Sequence, residues 1–348
     1  MTWPPDVDVA IVAHNNLATL PETLQALLDA GCPPARITIV DIASTDETSG
    51  WLGREHPAVH VRRLDRNEGP NPARNIGITE SRSRFVLLMD ADVRLLPDTV
   101  PPLHAAVRND ASIKIATPIV VRTDHPELIQ YSGGAVHFMC EAVNPWLGKP
   151  ISERGSAALD IGAAPGCALL IDRQAAIEIG LFDERYFMGK DDGDFIHRMH
   201  MAGYRIREIP QSLVLHDSRP RSDWMFYYQI RNRWHFILKN YEARTIAAML
   251  PALIIHEPLQ FVMLAAKGHA WTYVRALGGL LKFLPALPRD RALARRIRRR
   301  HDRDVLISAP MVVRDDVVGH GAMRRAKDAY DCWLDAYWRL LTRTILAR

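Results

Sequence analysis

In the N-terminal part of the chain, short uninterrupted apolar runs alternate with stretches of helical periodicity. Residues 6–13 (DVDVAIVA), 37–41 (ITIVD), 59–64 (VHVRRL) and 85–92 (FVLLMDAD) read as strands, and five apolar residues run uninterrupted from Phe85 to Met89. That pattern predicts strands buried on both faces of a parallel sheet. Between the first two, Leu20, Leu24, Leu27 and Leu28 recur at helical spacing behind a Thr19/Glu22 capping-box pattern, and Gly31, Pro33 and Pro34 stop the helix. Ser44 and Glu47 repeat the capping pattern for a second helix. After a turn at residues 67–70, Asn71 is expected to cap a third helix, with Pro72 at its first position and Ala73, Arg74, Asn75 and Gly77 inside it. Strands alternating with helices predict right-handed crossovers and a parallel sheet.

The pattern loosens beyond residue 112. Residues 113–121 and 166–171 read as strands, and residues 130–138 surround a flexible Ser132-Gly133-Gly134. Residues 140–160 are polar and aperiodic, predicting a long loop of the kind that often serves as a functional lid. Asp172 caps a short helix ending at Gly180; Phe195, Ile196 and Met199 mark another, stopped by Gly203; residues 204–209 form a strand, and LVLHD places His216 at a further strand end. Residues 227–241 mix aromatics with Arg231, Arg233 and Lys239, which suits an amphipathic helix with core aromatics. Residues 247–287 are richly apolar but interrupted by Pro251, His256, Glu257, Pro258, Lys267, His269 and Arg275. They predict helices lying in a membrane interface rather than a span. The basic run 289–303 follows, suited to anionic cytoplasmic headgroups, and residues 323–346 form a last amphipathic helix. A helical appendage buried in a homodimer, its basic face merely solvated, is the alternative.

Composition changes this picture little. A chain of 348 residues, 48% hydrophobic and 24% charged, accommodates one large α/β domain plus an appendage. A net charge of +4 is too small to imply nucleic-acid binding. Cys32, Cys140, Cys167 and Cys332 are widely spaced and read as buried thiols in a reducing cytosol. The N-terminus predicts no signal peptide, and no run reaches the roughly 18–20 uninterrupted apolar residues of a spanning helix.

The chemistry sits at strand ends. Asp90 and Asp92, two residues apart in an extended chain, are expected to face one ligand from the carboxyl edge of the sheet. Such a pair suggests a divalent cation carrying phosphates. No GxGxxG or GxxxxGK[ST] is present, so a nucleotide needs another holder, and Asp41 and Asp90 are the candidates. Asp191, Asp192 and Asp194 crowd a predicted helix N-terminus. One cap accounts for one aspartate and not three, and crowding shifts a carboxyl pKa towards catalytic use.

Together these residues resemble the family 2 inverting glycosyltransferases of GT-A fold, bacterial rhamnosyltransferases among them. The resemblance runs from about Val7 to about Tyr241. It rests on DVAIVAHNN, on Asp41-x-x-Ser44-x-Asp46, and on Asn67, Gly69, Ala73, Arg74, Asn75 and Gly77. It continues through the D-x-D at Asp90 and Asp92, the strand from Gly166 to Arg173, and Phe182-Asp183-Glu184 with Phe187. The acidic motif at Asp191, Asp192 and Asp194, followed by His216, completes it. Asp191 stands where the family usually has Glu. The resemblance implies a Rossmann-like, mostly parallel sheet with flanking helices over residues 1–240, a nucleotide-binding half at 1–112 and an acceptor half at 113–240. Residues 241–348 remain as the helical region. It implies a UDP-, dTDP- or GDP-sugar donor held by Ala13, His14, Asn15, Asp41, Ser44, Arg74, Asp90 and Ala91, and Mg²⁺ or Mn²⁺ on Asp92 and His216. Arg74 has a second reading as a surface helix residue. Asp192 is the expected base, with Asp191 as the alternative. Gly166, Asp194 and Arg231 are expected near a glycan or lipid-linked acceptor, and the enzyme is expected on the cytoplasmic face of the membrane. A sugar nucleotidyltransferase and a non-catalytic nucleotide-sugar scaffold are the rivals. The first usually has a basic, Gly-rich loop where this chain has AHNNLATLPE.

Overall fold

The computed structural model describes residues 2–217, 222–311 and 321–347. The chain divides into two compact units: Met1–Gly133, Pro145–Met199 and Tyr204–Pro220 form the first, and Gly134–Asn144, His200–Gly203 and Arg221–Arg348 the second.

The first unit begins with β1 (Val7–Ala13), α1 (Leu20–Asp29), β2 (Ile37–Asp41), α2 (Thr48–Glu55), β3 (His60–Arg63), α3 (Pro70–Glu80) and β4 (Phe85–Asp90). It continues with β5 (Val93–Leu95), α4 (Val100–Asn109), β6 (Ile113–Arg122) and β7 (Ile129–Tyr131). The chain then passes through β8 (Ala135–Val136) and β9 (Ala142–Val143), a hairpin of the second unit. It returns to the first unit as β10 (Leu159–Asp160), β11 (Ala168–Asp172), α5 (Arg173–Glu178), α6 (Asp191–Met201) and β12 (Arg205–His216). The sheet order is β10-β12-β6-β11-β4-β1-β2-β3, with β5 on β12 and β7 on β6. Strands β1 to β4 pair in parallel; β2 and β4 are largely apolar and buried, whereas β3, HVRR at the sheet edge, is exposed along its length. Only β11 among the central strands runs antiparallel to both neighbours. Val7, Val9, Ile11, Phe85, Leu87 and Met89 form the core beneath α1 and α4.

Several local expectations change. Neither capping box forms: Thr19 makes no side-chain cap, and Glu22 pairs with Arg94 instead. At α2, Asp46 Oδ1 takes the Thr48 N–H (3.0 Å), while Ser44 Oγ is taken by the Asn15 N–H. Asn71 is no cap; α3 starts at Pro70, and the Asn71 amide, inside the helix, donates to the carbonyls of Asp183 and Tyr186 at 3.0 Å. Asp172 does cap α5. Ser132, expected to be flexible, is buried: its hydroxyl and the Gly133 N–H donate to the Glu208 carboxylate, which also pairs with buried Arg154. The two strands expected at 204–209 and before His216 are one, β12, from Arg205 to His216. Cys32, Cys140 and Cys167 are buried but Cys332 is exposed.

The second unit contains α7 (Met225–Asn240), α8 (Ala243–Ala266), α9 (Ala270–Leu280), α10 (Leu287–Ile297), α11 (Asp302–Val305) and α12 (Ala322–Arg343). Helix α8 runs unbroken through Pro251 and Pro258, contrary to the interruption expected, and by length and composition it suffices to cross a membrane. The basic run is only partly a solvated face. Arg291 donates to the Leu238 carbonyl and Arg298 to that of Asn240, both at the C-terminus of α7, where cations complement the helix dipole. Arg289, Arg295, Arg296 and Arg299 remain exposed.

Candidate active site

Register sets the first line of the site. Ala13 lies opposite Asp41, and Val12 opposite Asp90, so β2, β1 and β4 end together. His14 Nδ1 is 2.7 Å from the Ile42 carbonyl, which only accepts, so the ring proton sits on Nδ1. Asn15, at φ +54°, accepts the Thr45 N–H (2.7 Å) and donates its own N–H to Ser44 Oγ (2.9 Å). These bonds clasp residues 14–16 to residues 44–46. The Asp41 carboxylate is fully buried, accepting from Ser44 N (2.9 Å), Arg63 Nη1 (2.7 Å) and the Ser49 hydroxyl. Burial alone would raise its pKa; the serine hydrogen bonds and the Arg63 charge outweigh burial and hold it below the usual carboxylate value.

The two carboxylates of the D-x-D have different partners, because the extended chain between them is not kept. Strand β4 stops at Asp90, and the chain turns at Ala91 and Asp92 to pair, as β5, with β12. Asp90 Oδ1 lies 3.3 Å from Arg74 Nη2, whereas Asp92 Oδ1 lies 3.6 Å from His216 Nε2. Buried Ala91 donates its N–H to Val12 O at 3.1 Å. Burial, and then the Asp90 charge, push Asp92 up to about 6 against the pull of His216. His216 Nδ1 is 3.1 Å from Gln130 Oε1, which leaves Nε2 turned towards Asp92. A carboxylate oxygen and an imidazole nitrogen facing each other just beyond hydrogen-bond distance are a donor set that fits Mg²⁺ or Mn²⁺.

The base motif meets this edge through Arg74. Its side chain is 6% exposed, so it is not a surface helix residue. Nη1 reaches Asp191 Oδ2 at 2.8 Å and Asn71 Oδ1 at 3.3 Å, and the guanidinium lies over the Phe182 ring. Burial would lower its pKa, but Asp90, Asp191 and Asp192 together hold it above its ordinary value. Gly189 and Lys190 both take positive φ (+78° and +64°), turning the chain so that α6 opens on the three aspartates. They then part company. Asp191 is buried against Arg74, and burial with the Asp192 charge raises it to about 6. Asp192 is half-buried, its oxygens held by the N–H groups of Gly193 (2.7 Å) and Gly166 (3.1 Å). Asp194 has no exposed surface and pairs with Arg198 at 2.9 Å. A Cβ at Gly166 would sit 2.8 Å from Arg74 Nη2, so a larger residue there would displace the guanidinium.

All the expected site residues belong to the first unit except Arg231, which lies in α7 of the second, over the rings of Tyr227, Tyr228 and Phe283. Two participants escaped the sequence reading of the site. Arg63, which pairs with Asp41, carries no motif. Asn75 sits within the Arg74-Asn75 motif, a signal that was available: its amide donates to Phe182 O (3.0 Å) and Glu184 Oε1 (2.9 Å), pinning the segment that leads to α6.

Comparison with known proteins adds the lineage. The family model described as Glycosyl transferase family 2 matches residues 8–179. The chain is 33% identical over 130 residues to Succinoglycan biosynthesis protein ExoO of Rhizobium meliloti (strain 1021), covering 37% of each protein. It is 26% identical over 204 residues to the N-acetylglucosaminyl-diphospho-decaprenol L-rhamnosyltransferase of Mycobacterium tuberculosis (strain ATCC 25618 / H37Rv), covering 53% of this chain and 66% of that one. The matches therefore span less than two thirds of these relatives' lengths. A mannosyltransferase from Pyrobaculum calidifontis, solved with GDP-Man and Mn²⁺, aligns with a TM-score of 0.51 at 16% identity over 99% of this chain and 88% of its own, a likeness of fold. The sheet has the GT-A fold, and residues 8–179 carry a glycosyl transferase family 2 domain.

Proposed function

We propose that the protein is a divalent-metal-dependent, inverting glycosyltransferase that moves a sugar from a nucleoside diphosphate to a hydroxyl of a lipid-linked or saccharide acceptor. The observation that carries this reading is the single buried guanidinium of Arg74 joining Asp90, at the end of β4, to Asp191, at the start of α6. It ties a donor-holding edge and a base-bearing helix into one site. The loops clasped by Asn15 and Ser44, with Ala13, His14 and Ala91, line the nucleoside side. Asp41 supports that side from beneath through Arg63 and Ser44, and Asp90 borders the ribose and diphosphate. Asp92 and His216 hold Mg²⁺ or Mn²⁺, whose chemistry is to neutralise charge on the departing diphosphate.

Inversion is a single displacement: the acceptor oxygen bonds to the anomeric carbon as the bond to the diphosphate oxygen breaks. A carboxylate must take the acceptor proton. Asp192 suits that task, being half-exposed and oriented by two backbone N–H groups, whereas Asp191 is committed to Arg74. Asp194 and Gly166 then act beneath the acceptor, one anchoring α6 and the other aligning Asp192. Residues 1–112 serve the nucleotide, residues 113–240 the acceptor, and residues 241–348 the membrane. The polyprenol-linked acceptor in the name of the mycobacterial relative and the apolar length of α8 support placement on the cytoplasmic face of the cell membrane.

The test is donor binding and turnover across UDP-, GDP- and dTDP-sugars with Mn²⁺, Mg²⁺ or EDTA. Release of one nucleoside diphosphate that needs metal and is lost in Asp92→Ala is the expected result. Binding without turnover, unchanged by Asp192→Asn, would favour a nucleotide-sugar scaffold. Release of pyrophosphate from a nucleoside triphosphate would mean a nucleotidyltransferase.

A further inference from the structure

Helix α8 in the second unit has its polarity reversed with respect to water. Its exposed positions from 243 to 266 recur at intervals of one, three and four residues, forming a continuous stripe, and each is Ala, Leu, Ile, Val or Pro. Ile254 is 70% exposed and Val262 60%. The polar residues of the helix are turned inward. Glu257 pairs with Arg233 and accepts from Trp234 Nε1 and the Tyr273 hydroxyl, and His256 meets the Tyr330 hydroxyl at 3.0 Å. Helix α9 and the 3-10 turn after it extend the apolar surface with Trp271 (70% exposed), Val274, Leu277, Leu281 and Leu284. A soluble surface does not normally gather so many exposed large apolar side chains.

The charges on this surface are mostly basic, with Asp223, paired to His269 at 3.2 Å, at its edge. Between residues 243 and 289 the exposed charged residues are Lys267, Arg275, Lys282 and Arg289, and the single acid, Glu257, is the one turned inward. An apolar stripe with a predominantly basic fringe complements an anionic bilayer. The backbone decides between lying and crossing. Pro251 and Pro258 lie on the exposed stripe, and each frees the carbonyl four residues back, at Ala247 and Ile254, on the same outer side. Water satisfies those carbonyls in the interfacial zone, whereas in the hydrocarbon core a neighbouring helix or a local adjustment of the backbone would have to. The inner face is also bonded along its length: Tyr337 donates to the Ala248 carbonyl at 2.7 Å, and Arg233 and Tyr273 reach Glu257.

We propose that α8, α9 and the following turn form a monotopic lipid-binding surface lying in the plane of an anionic membrane. Leu250, Ile254, Ile255, Leu259, Val262 and Trp271 enter the acyl boundary, and Lys267, Arg275, Lys282 and Arg289 meet the lipid phosphates. This rests on the membrane placement proposed above and names the surface responsible.

The test is co-sedimentation of the full chain with sealed phosphatidylcholine vesicles, with and without phosphatidylglycerol, alongside fluorescence quenching by brominated lipid. Expected is salt-sensitive binding that prefers phosphatidylglycerol. Ile254→Glu with Val262→Glu should weaken it by about tenfold or more, because two fully immersed side chains are lost. Replacing the four basic residues by Gln should remove the preference for phosphatidylglycerol. Circular dichroism and nucleotide-sugar binding, both unchanged in these variants, separate loss of the surface from misfolding. Vesicle binding without donor turnover would sink the catalytic reading and leave this one standing. Three outcomes overturn the proposal: no binding to either vesicle; a solution dimer that Ile254→Glu dissociates without any vesicle affinity; or protection from external protease of one end of the chain, which would mean that α8 spans.

Discussion

Arg74 governs what the acids around it do. A guanidinium at 6% exposure between Asp90 and Asp191 is stable only because those carboxylates replace its lost hydration, and they in turn depend on it. Removing one partner of such a pair strands the other. Arg74→Met should therefore cost roughly 3–5 kcal/mol of stability in thermal or urea unfolding. Part of that loss should return when Asp191→Asn is added, because one stranded carboxylate is then gone. A double variant no more stable than Arg74→Met would mean that packing on Phe182, and not charge, is what Arg74 supplies. Asp192 makes no comparable ion pair, so its variant should behave differently. Asp192→Asn should keep the fold and donor affinity while lowering kcat by about 10²–10⁴-fold, the usual contribution of a general base. If donor affinity fell instead, Asp192 would belong to the donor side.

At the scale of elements, sequence patterning locates strand ends well and local hydrogen bonds poorly. Residues 85–92 read as a buried strand because the apolar run from Phe85 to Met89 has no polar alternation, and the structure has β4 there but ends it at Asp90. The capping boxes failed because Ser, Thr and Asp side chains compete for several nearby N–H groups, and here Asn15 and Asp46 changed the pairing. The burial of Arg74 was illegible because its partner Asp191 lies 117 residues away, a distance no local pattern spans. The same applies to Glu208, whose partners Ser132 and Arg154 are 76 and 54 residues distant. That carboxylate, on β12, fixes Ser132, Gly133 and Arg154 and so holds both sides of the loop region that the sequence marked as a lid. Glu208→Ala should leave a buried arginine unpaired and free that anchorage. The measurable outcome is faster limited proteolysis within residues 145–158, against unchanged cleavage elsewhere. Equal rates in wild type and variant would show that the loop is anchored by other contacts.

On the scale of the whole molecule, the acids of the first unit divide by the sign of their pKa shifts, and that division sets its response to pH. Burial would raise Asp8, but hydrogen bonds from Ser83, Ser81 and Arg82 prevail and leave it below its ordinary value, and Asp41 is lowered in the same way. Groups of this kind add stability at neutral pH that disappears as the pH drops through their folded-state values, below about 3.8. Asp191 has the opposite sign. Raised to about 6 by burial and by Asp192, it binds a proton in the folded state before it would in the unfolded chain. Its ionised form therefore opposes folding above pH 6, and stability rises as the pH falls from 7 through 6 towards 4. The thermal midpoint of the metal-free protein, measured in EDTA, should accordingly climb between pH 7.5 and 5 and then decline below pH 4. In Asp191→Asn the climb should shrink while the acid decline persists, because Asp8 and Asp41 are untouched. A midpoint that fell steadily from pH 7 in the wild type would mean that Arg74 holds Asp191 ionised throughout. The buried acid would then be a fixed strut of the site and not a titrating member of it.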